Sequence, residues 1–178
     1  METDGGDFNF IATTYKGLER EAIGECVGLL KGFGDAAPTA RSTEVIGLFV
    51  GHTNLDPLAV VEKLKSMVAE EPWSVRLVLR FIPIEAVSEA RPEAVKARAS
   101  DLSKKIPQGD SFRVTVEKRH SAVRSMEFVE AAAAVVQRRV DLDTPDWVVL
   151  VEVVGGLAGT SVIRPTSVFS SSKAKRGE

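Results

Sequence analysis

The chain has 178 residues, 44% hydrophobic and 27% charged, with a formal net charge of −2. That balance excludes a wholly disordered chain, and no stretch approaches the roughly 18 consecutive apolar residues of a membrane helix. The net charge hides a split: residues 1–90 hold 8 Lys/Arg against 14 Asp/Glu, and residues 91–178 hold 15 against 11, which suggests two modules with different partners.

Residues 8–14 alternate enough for a strand. A helix is predicted from Lys16 to Lys31, with Leu18, Ala22, Cys26 and Leu29 on one stripe. Gly32 and Gly34 end it, since glycine accepts the left-handed conformation at a helix C-terminus. A weak strand follows over 36–42 and a stronger one over 45–50. Asp56-Pro57 is a sharp helix start, with aspartate as cap and proline in the first turn. Val60, Val61, Leu64, Met67 and Val68 continue at helical spacing, Pro72 stops the helix, and Val75–Ile84 reads as a long strand. The order β-α-β-β-α-β is that of a ferredoxin-like unit.

A boundary falls near Val87–Arg91. Pro92 opens a helix with Val95, Ala99, Leu102 and Ile106 on one face. Phe112, Val114 and Val116 alternate with Arg113, Thr115 and Glu117, giving a strand with one wet face. Ser125–Arg139 is predicted helical, buried through Phe128, Ala132, Val135 and Val136. Asp141–Asp146 is a loop. Trp147–Val154 is almost wholly apolar, a central strand covered on both faces. Gly155-Gly156 turns the chain into a return strand over 157–163. Pro165 ends regular structure, and the tail from Ser170 is expected to be mobile.

The chemistry-bearing residue types are sparse. Cys26 is the only cysteine, so no internal disulfide forms. Cys26, His52 and His120 lack the paired spacing of zinc ligands. No Gly-rich phosphate loop, dinucleotide fingerprint or Gly-x-Ser-x-Gly elbow is present, so no cofactor is expected. His120 and Ser121 are adjacent on a strand and point to opposite faces, a poor geometry for a proton relay. Asp141, Asp143 and Asp146 mimic a calcium loop, but Asp146 stands where that loop needs glycine. Gly156-Leu157-Ala158-Gly159 spells the GXXG of KH domains, yet it joins two strands rather than two helices.

The remaining signal is local positive charge. Segment 111–124 carries Arg113, Lys118, Arg119 and Arg124 against Glu117 alone. Segment 164–178 carries Arg164, Lys173, Lys175 and Arg176 against Glu178 alone. Such patches neutralise phosphates. In the loop Lys118-Arg119-His120-Ser121, His120 and Ser121 add hydrogen bonds to phosphate, sugar or base edges. With aromatics at 6%, backbone and shape readout of a structured RNA is expected rather than stacking on a sheet.

The segment Phe112–Ser121, followed by Asp141–Val149 and Glu152–Ile163, resembles THUMP domains, especially stand-alone THUMP proteins. Phe10-Ile-Ala-Thr-Thr-Tyr-Lys-Gly-Leu-Glu-Arg-Glu21 resembles the ferredoxin-like domain that precedes THUMP in them. The resemblance implies an α+β chain: a ferredoxin-like domain at 1–89, a THUMP domain at 90–169 and a mobile basic tail at 170–178. It implies tRNA binding through the acceptor region and 3′ end, with the chemistry done by another protein, as in adaptors of the acetyltransferase that makes N4-acetylcytidine. It carries a contact role to Lys118, Arg119 and His120. Charge alone adds Arg113, Arg124, Arg164 and Lys173. No methyltransferase, sulfurtransferase or acetyl-CoA-binding segment is recognisable, so a non-catalytic protein is expected, without metal, membrane partner or DNA specificity. The start Met1-Glu-Thr-Asp-Gly-Gly shows no secretory signal, and a cytoplasmic location is expected. The alternative reading is an interaction module whose basic loop meets an acidic protein partner.

Overall fold

A computed structural model describes residues 7–178. The chain forms two units, the first of residues 7–83 together with 166–178 and the second of residues 84–165.

The first unit opens with β1 (Phe10–Thr13), α1 (Glu19–Gly32), β2 (Thr39–Ser42), β3 (Leu48–His52), α2 (Pro57–Glu70) and β4 (Arg80–Pro83). The strands lie in the order β4-β1-β3-β2 and are all antiparallel, which is the predicted ferredoxin-like arrangement. Phe10, Ala12, Phe49 and Phe81 pack against Ala22, Cys26 and Leu30 of α1 and Val61, Leu64 and Val68 of α2. The rings of Phe10 and Phe81 stack at 4.7 Å. Burial pushes the Cys26 thiol up to about 12, so this cysteine is a core side chain rather than a nucleophile. The Asp56 carboxylate accepts the Leu58 N–H at 3.0 Å with Pro57 in the first turn, and α2 starts where the sequence places it. Gly34 ends α1 at φ +109°, and the Asp35 N–H reaches back to the Leu30 carbonyl at 3.0 Å.

The long strand predicted over 75–84 is shorter, Arg80–Pro83. The Glu25 carboxylate accepts the N–H groups of Arg76, Leu77 and Val78, each at 2.8 Å. Those donors go to α1 and are lost to a strand ladder. Asp35 ties two loops in the same way. It accepts the Thr53 hydroxyl at 2.6 Å, the Asn54 N–H at 2.8 Å and the Ala37 N–H at 3.0 Å. Burial pushes this carboxyl up, but the Thr53, Ala37 and Asn54 bonds outweigh it and hold the group below its ordinary range. A depressed folded-state pKa stabilises above the unfolded value, about 4, and the stabilisation is lost as pH falls through the folded value. Asp35→Ala is therefore expected to cost about 3 kcal/mol at pH 7. In urea unfolding, the gap between wild type and Asp35→Asn should narrow between pH 7 and pH 3.

The second unit contains β5 (Ala86–Glu89), α3 (Pro92–Leu102), a 3-10 turn over Ser103–Lys105, β6 (Ser111–Arg119), α4 (Ser125–Ala133), β7 (Arg139–Val140), β8 (Trp147–Val154) and β9 (Leu157–Ile163). The sheet order is β5-β9-β8-β6-β7. β6 runs parallel to β7 and β8, whereas β9 is antiparallel to β8 and β5. β8 is central and buried on both faces along its middle, as its composition predicts. Val95, Ala99, Phe128 and Ala132 of the helices cover Phe112, Val149, Val151 and Val162. The helix predicted to Arg139 stops at Ala133, because Arg139 and Val140 instead pair with β6. The boundary predicted near Val87 is itself an edge strand. A side chain at Gly159, opposite it, would meet Ile84 at 2.9 Å.

The tail corrects the expectation of mobility. β10 (Phe169–Ser170) pairs with β4, and α5 (Ser171–Lys175) follows. Phe169 is fully buried in the first unit's core and Ala174 is nearly so. One aromatic residue supplies the apolar area that the polar tail lacks.

Candidate nucleic-acid interface

Because β6 and β8 are parallel, their C-terminal ends share one edge of the sheet. Three connections meet there. The β6–α4 loop leaves β6 at Arg119, the Gly155 N–H of the β8–β9 turn bonds the Arg119 carbonyl at 3.0 Å, and the Ala90 N–H before α3 bonds the Gly156 carbonyl at 3.0 Å. Both helices thus start at this edge and direct the positive ends of their dipoles toward it. Their first turns also hold Glu93 and Glu127, and the Glu127 carboxylate accepts the Arg124 N–H at 3.1 Å.

The loop itself is polar and exposed. Lys118 is exposed and donates to the Val123 carbonyl at 2.9 Å. His120 is exposed and adopts φ +55°, a left-handed conformation that non-glycine residues seldom take. The Ser121 hydroxyl accepts the Val123 N–H at 3.3 Å and so shapes the turn. Arg124 has a side chain 85% exposed, with its nearest carboxylate, Glu127, at 3.9 Å. Arg91, which the sequence reading missed, stands at the start of α3 and pairs with Glu89 at 2.6 Å on the exposed surface. The Arg-Pro step opening a predicted helix was its only signal.

Arg119 does not join this group. Its Nη1 lies 2.5 Å from Oε2 of Glu152, a residue with no exposed surface. The two sit on neighbouring parallel strands and on the same face of the sheet, Glu152 being in register with Glu117. The cation neutralises a buried carboxylate, which gives Arg119 a structural duty. Glu152 in an otherwise apolar strand was the sequence signal for such a pair.

Arg113 and Arg164 lie at the other end of the sheet, about 20 Å from Arg119 at about 3.3 Å per strand residue. Arg113 donates to the Leu142 carbonyl at 3.2 Å. Arg164 stacks on the Trp147 ring at 3.9 Å, lies 3.7 Å from Asp110 and donates to the Asp146 carbonyl at 3.2 Å. Trp147 Nε1 also donates to Asp110, at 2.9 Å. Lys173 is on α5, in the first unit. The seven predicted contacts therefore fall in three places, and only Lys118, His120 and Arg124 form an exposed cluster. The charge split also dissolves. Residues 84–165 hold twelve Lys/Arg and twelve Asp/Glu, because the basic tail folds with the acidic N-terminal segment.

The acidic run has a structural use as well. Asp141 accepts the N–H groups of Thr144 and Asp143, and Asp146 accepts the Ser111 N–H and hydroxyl. These bonds hold both carboxyls below their ordinary range. Among the described residues no three metal-ligating side chains gather in one place, and no helix is long and apolar enough to cross a membrane.

Residues 89–162, from the last residue of β5 to the second-last of β9, match the THUMP domain family. The chain contains a THUMP domain. Solved structures share its fold and that of the preceding ferredoxin-like unit. PH1313 from Pyrococcus horikoshii Ot3 superposes with a TM-score of 0.65 at 18% identity, over 89% of this chain and 55% of its own. TrmN from Thermus thermophilus gives 0.60 at 20% identity, over 90% and 47%. A 4-thiouridine synthetase solved as an RNA complex with bound ATP gives 0.53 at 17% identity, over 89% and 42%. The chain thus spans about half the length of the structures it resembles. No curated protein matches it. The THUMP domain points to RNA binding in tRNA modification.

Proposed function

We propose that the chain is a non-catalytic, tRNA-binding adaptor. It presents tRNA, through its acceptor stem and 3′ end, to a tRNA-modifying enzyme. The N4-acetylcytidine acetyltransferase is the partner that the family resemblance implies. The observation that carries the RNA-binding reading is the exposed cluster of Lys118, His120 and Arg124 at the sheet edge where α3 and α4 begin. Lys118 and Arg124 supply point charge and a planar donor fork for phosphates. His120, held out by its left-handed backbone, supplies a ring nitrogen to phosphate, ribose or a base edge. The similarity to a synthetase solved with RNA supports the same reading.

The non-catalytic reading rests on the chemistry of the cluster. Ser121 Oγ is engaged by the Val123 N–H, and the loop offers donors for a polyanion but no positioned nucleophile and base. The test is binding of total tRNA against duplex DNA of equal length by filter retention across a salt series. We expect tighter retention of tRNA, with log affinity falling on log salt at a slope of about −2 for two neutralised phosphates. Equal retention of tRNA and DNA would overturn tRNA recognition and favour an acidic protein partner. Turnover of a nucleotide by the purified chain would overturn the adaptor role.

A further inference from the structure

We propose that the groove between α1 and α2 of the ferredoxin-like unit docks a basic amphipathic helix of a partner protein. The groove consists of two open concavities, about 570 Å³ along α2 and about 410 Å³ along α1, which share Phe33 and Met67. Its floor is apolar: Leu29 from α1, Phe33 just after it and Met67 from α2. Its α2 side carries Glu62, Glu70 and Glu71 against Lys63. Lys63 lies over the Phe33 ring at 5.5 Å, and Glu62 pairs with Lys65 at 3.3 Å. Glu70 and Glu71 are exposed at the end of α2, where a helix dipole disfavours negative charge. Glu25, also lining the groove, is occupied by three backbone N–H groups.

The α1 side is unusual for a helix surface. Gly24, Gly28 and Gly32 recur every fourth residue and so share one face of α1. Gly24 and Gly28, inside the helix, each cost roughly 1 kcal/mol against alanine, and no atom within 4 Å of an added Cβ accounts for either. Gly28 and Gly32 line the groove. Their bare backbone lets a second helix approach closely, whereas the groove has no unpaired strand edge to offer an extended peptide. Each groove helix has 14 residues, about 21 Å at 1.5 Å per residue, enough for some four turns of a partner. Charge decides its chemistry: an apolar stripe for Leu29, Phe33 and Met67, flanked by Lys or Arg for Glu70 and Glu71.

The test uses the full chain and a fluorescein-labelled synthetic helix of about 18 residues with Leu and Lys at amphipathic spacing, read by anisotropy. Glu70→Lys/Glu71→Lys should weaken binding at least tenfold. Gly28→Leu should weaken it as much while the melting temperature holds or rises, the opposite of a structural defect. Lys118→Glu/Arg124→Glu should leave it unchanged, which separates this inference from the RNA-binding reading. Equal binding of a Leu/Glu helix, equal binding by all variants, or a dimer in sedimentation that Glu70→Lys/Glu71→Lys abolishes would overturn the proposal, the last in favour of a second copy of this chain.

Discussion

Arg119→Ala is expected to destabilise the THUMP domain by about 3–5 kcal/mol, the cost of leaving a buried carboxylate without its cation. Arg119 shows 19% of its side chain and Glu152 none, at 2.5 Å, so solvent screens this pair weakly, unlike the surface bridges of the same domain. Arg119→Lys should recover only part of the loss, because an ammonium on a flexible stem does not reproduce a guanidinium held in one geometry. Urea unfolding measures both variants, and a loss for Arg119→Ala below 1 kcal/mol would refute the assignment. The folded fraction supplies the second readout. If Arg119 is structural, its tRNA affinity per folded molecule stays within about threefold of wild type, or 0.7 kcal/mol. A contact residue would lose affinity and keep stability.

The same residue shows where sequence reading reaches its limit. The alternation of Phe112, Val114 and Val116 made β6 legible, and a basic loop after it was plain. Asp56-Pro57 marked α2, and Gly155-Gly156 marked the hairpin, because caps and turns are written in adjacent residues. Partners distant in sequence were not legible. Charge at Arg119 was visible, but its engagement 33 residues away was not. Ser170 looked like the start of a mobile tail, although Phe169 and Ser170 pair with Phe81 and Arg80 far back in the chain. Val75–Leu79 has strand composition, yet Glu25 of α1 takes its N–H groups. Clustering of charge along the sequence also misled: Arg113 was grouped with the loop and Arg164 with the tail, while the sheet sets both at the end opposite the loop.

What the loop retains after these subtractions can be weighed directly. Lys118→Glu/Arg124→Glu is expected to lower tRNA affinity about 100-fold, near 2.7 kcal/mol, and to reduce the salt slope by about 2. Two phosphate contacts are lost and two repulsions replace them. Stability should move by no more than about 0.5 kcal/mol, since Arg124 is 85% exposed with only a 3.9 Å approach to Glu127, and Lys118 gives up one surface bond to Val123. Lys104→Glu is the control for net charge. Lys104 is 77% exposed in the 3-10 turn ahead of β6, toward the end of the sheet where β6 begins. It alters the charge of the same domain without touching the β6–α4 edge. Should it weaken binding as much per charge as the loop substitutions do, long-range attraction rather than a local site would govern affinity, and the cluster of Lys118, His120 and Arg124 would lose its claim to position the RNA.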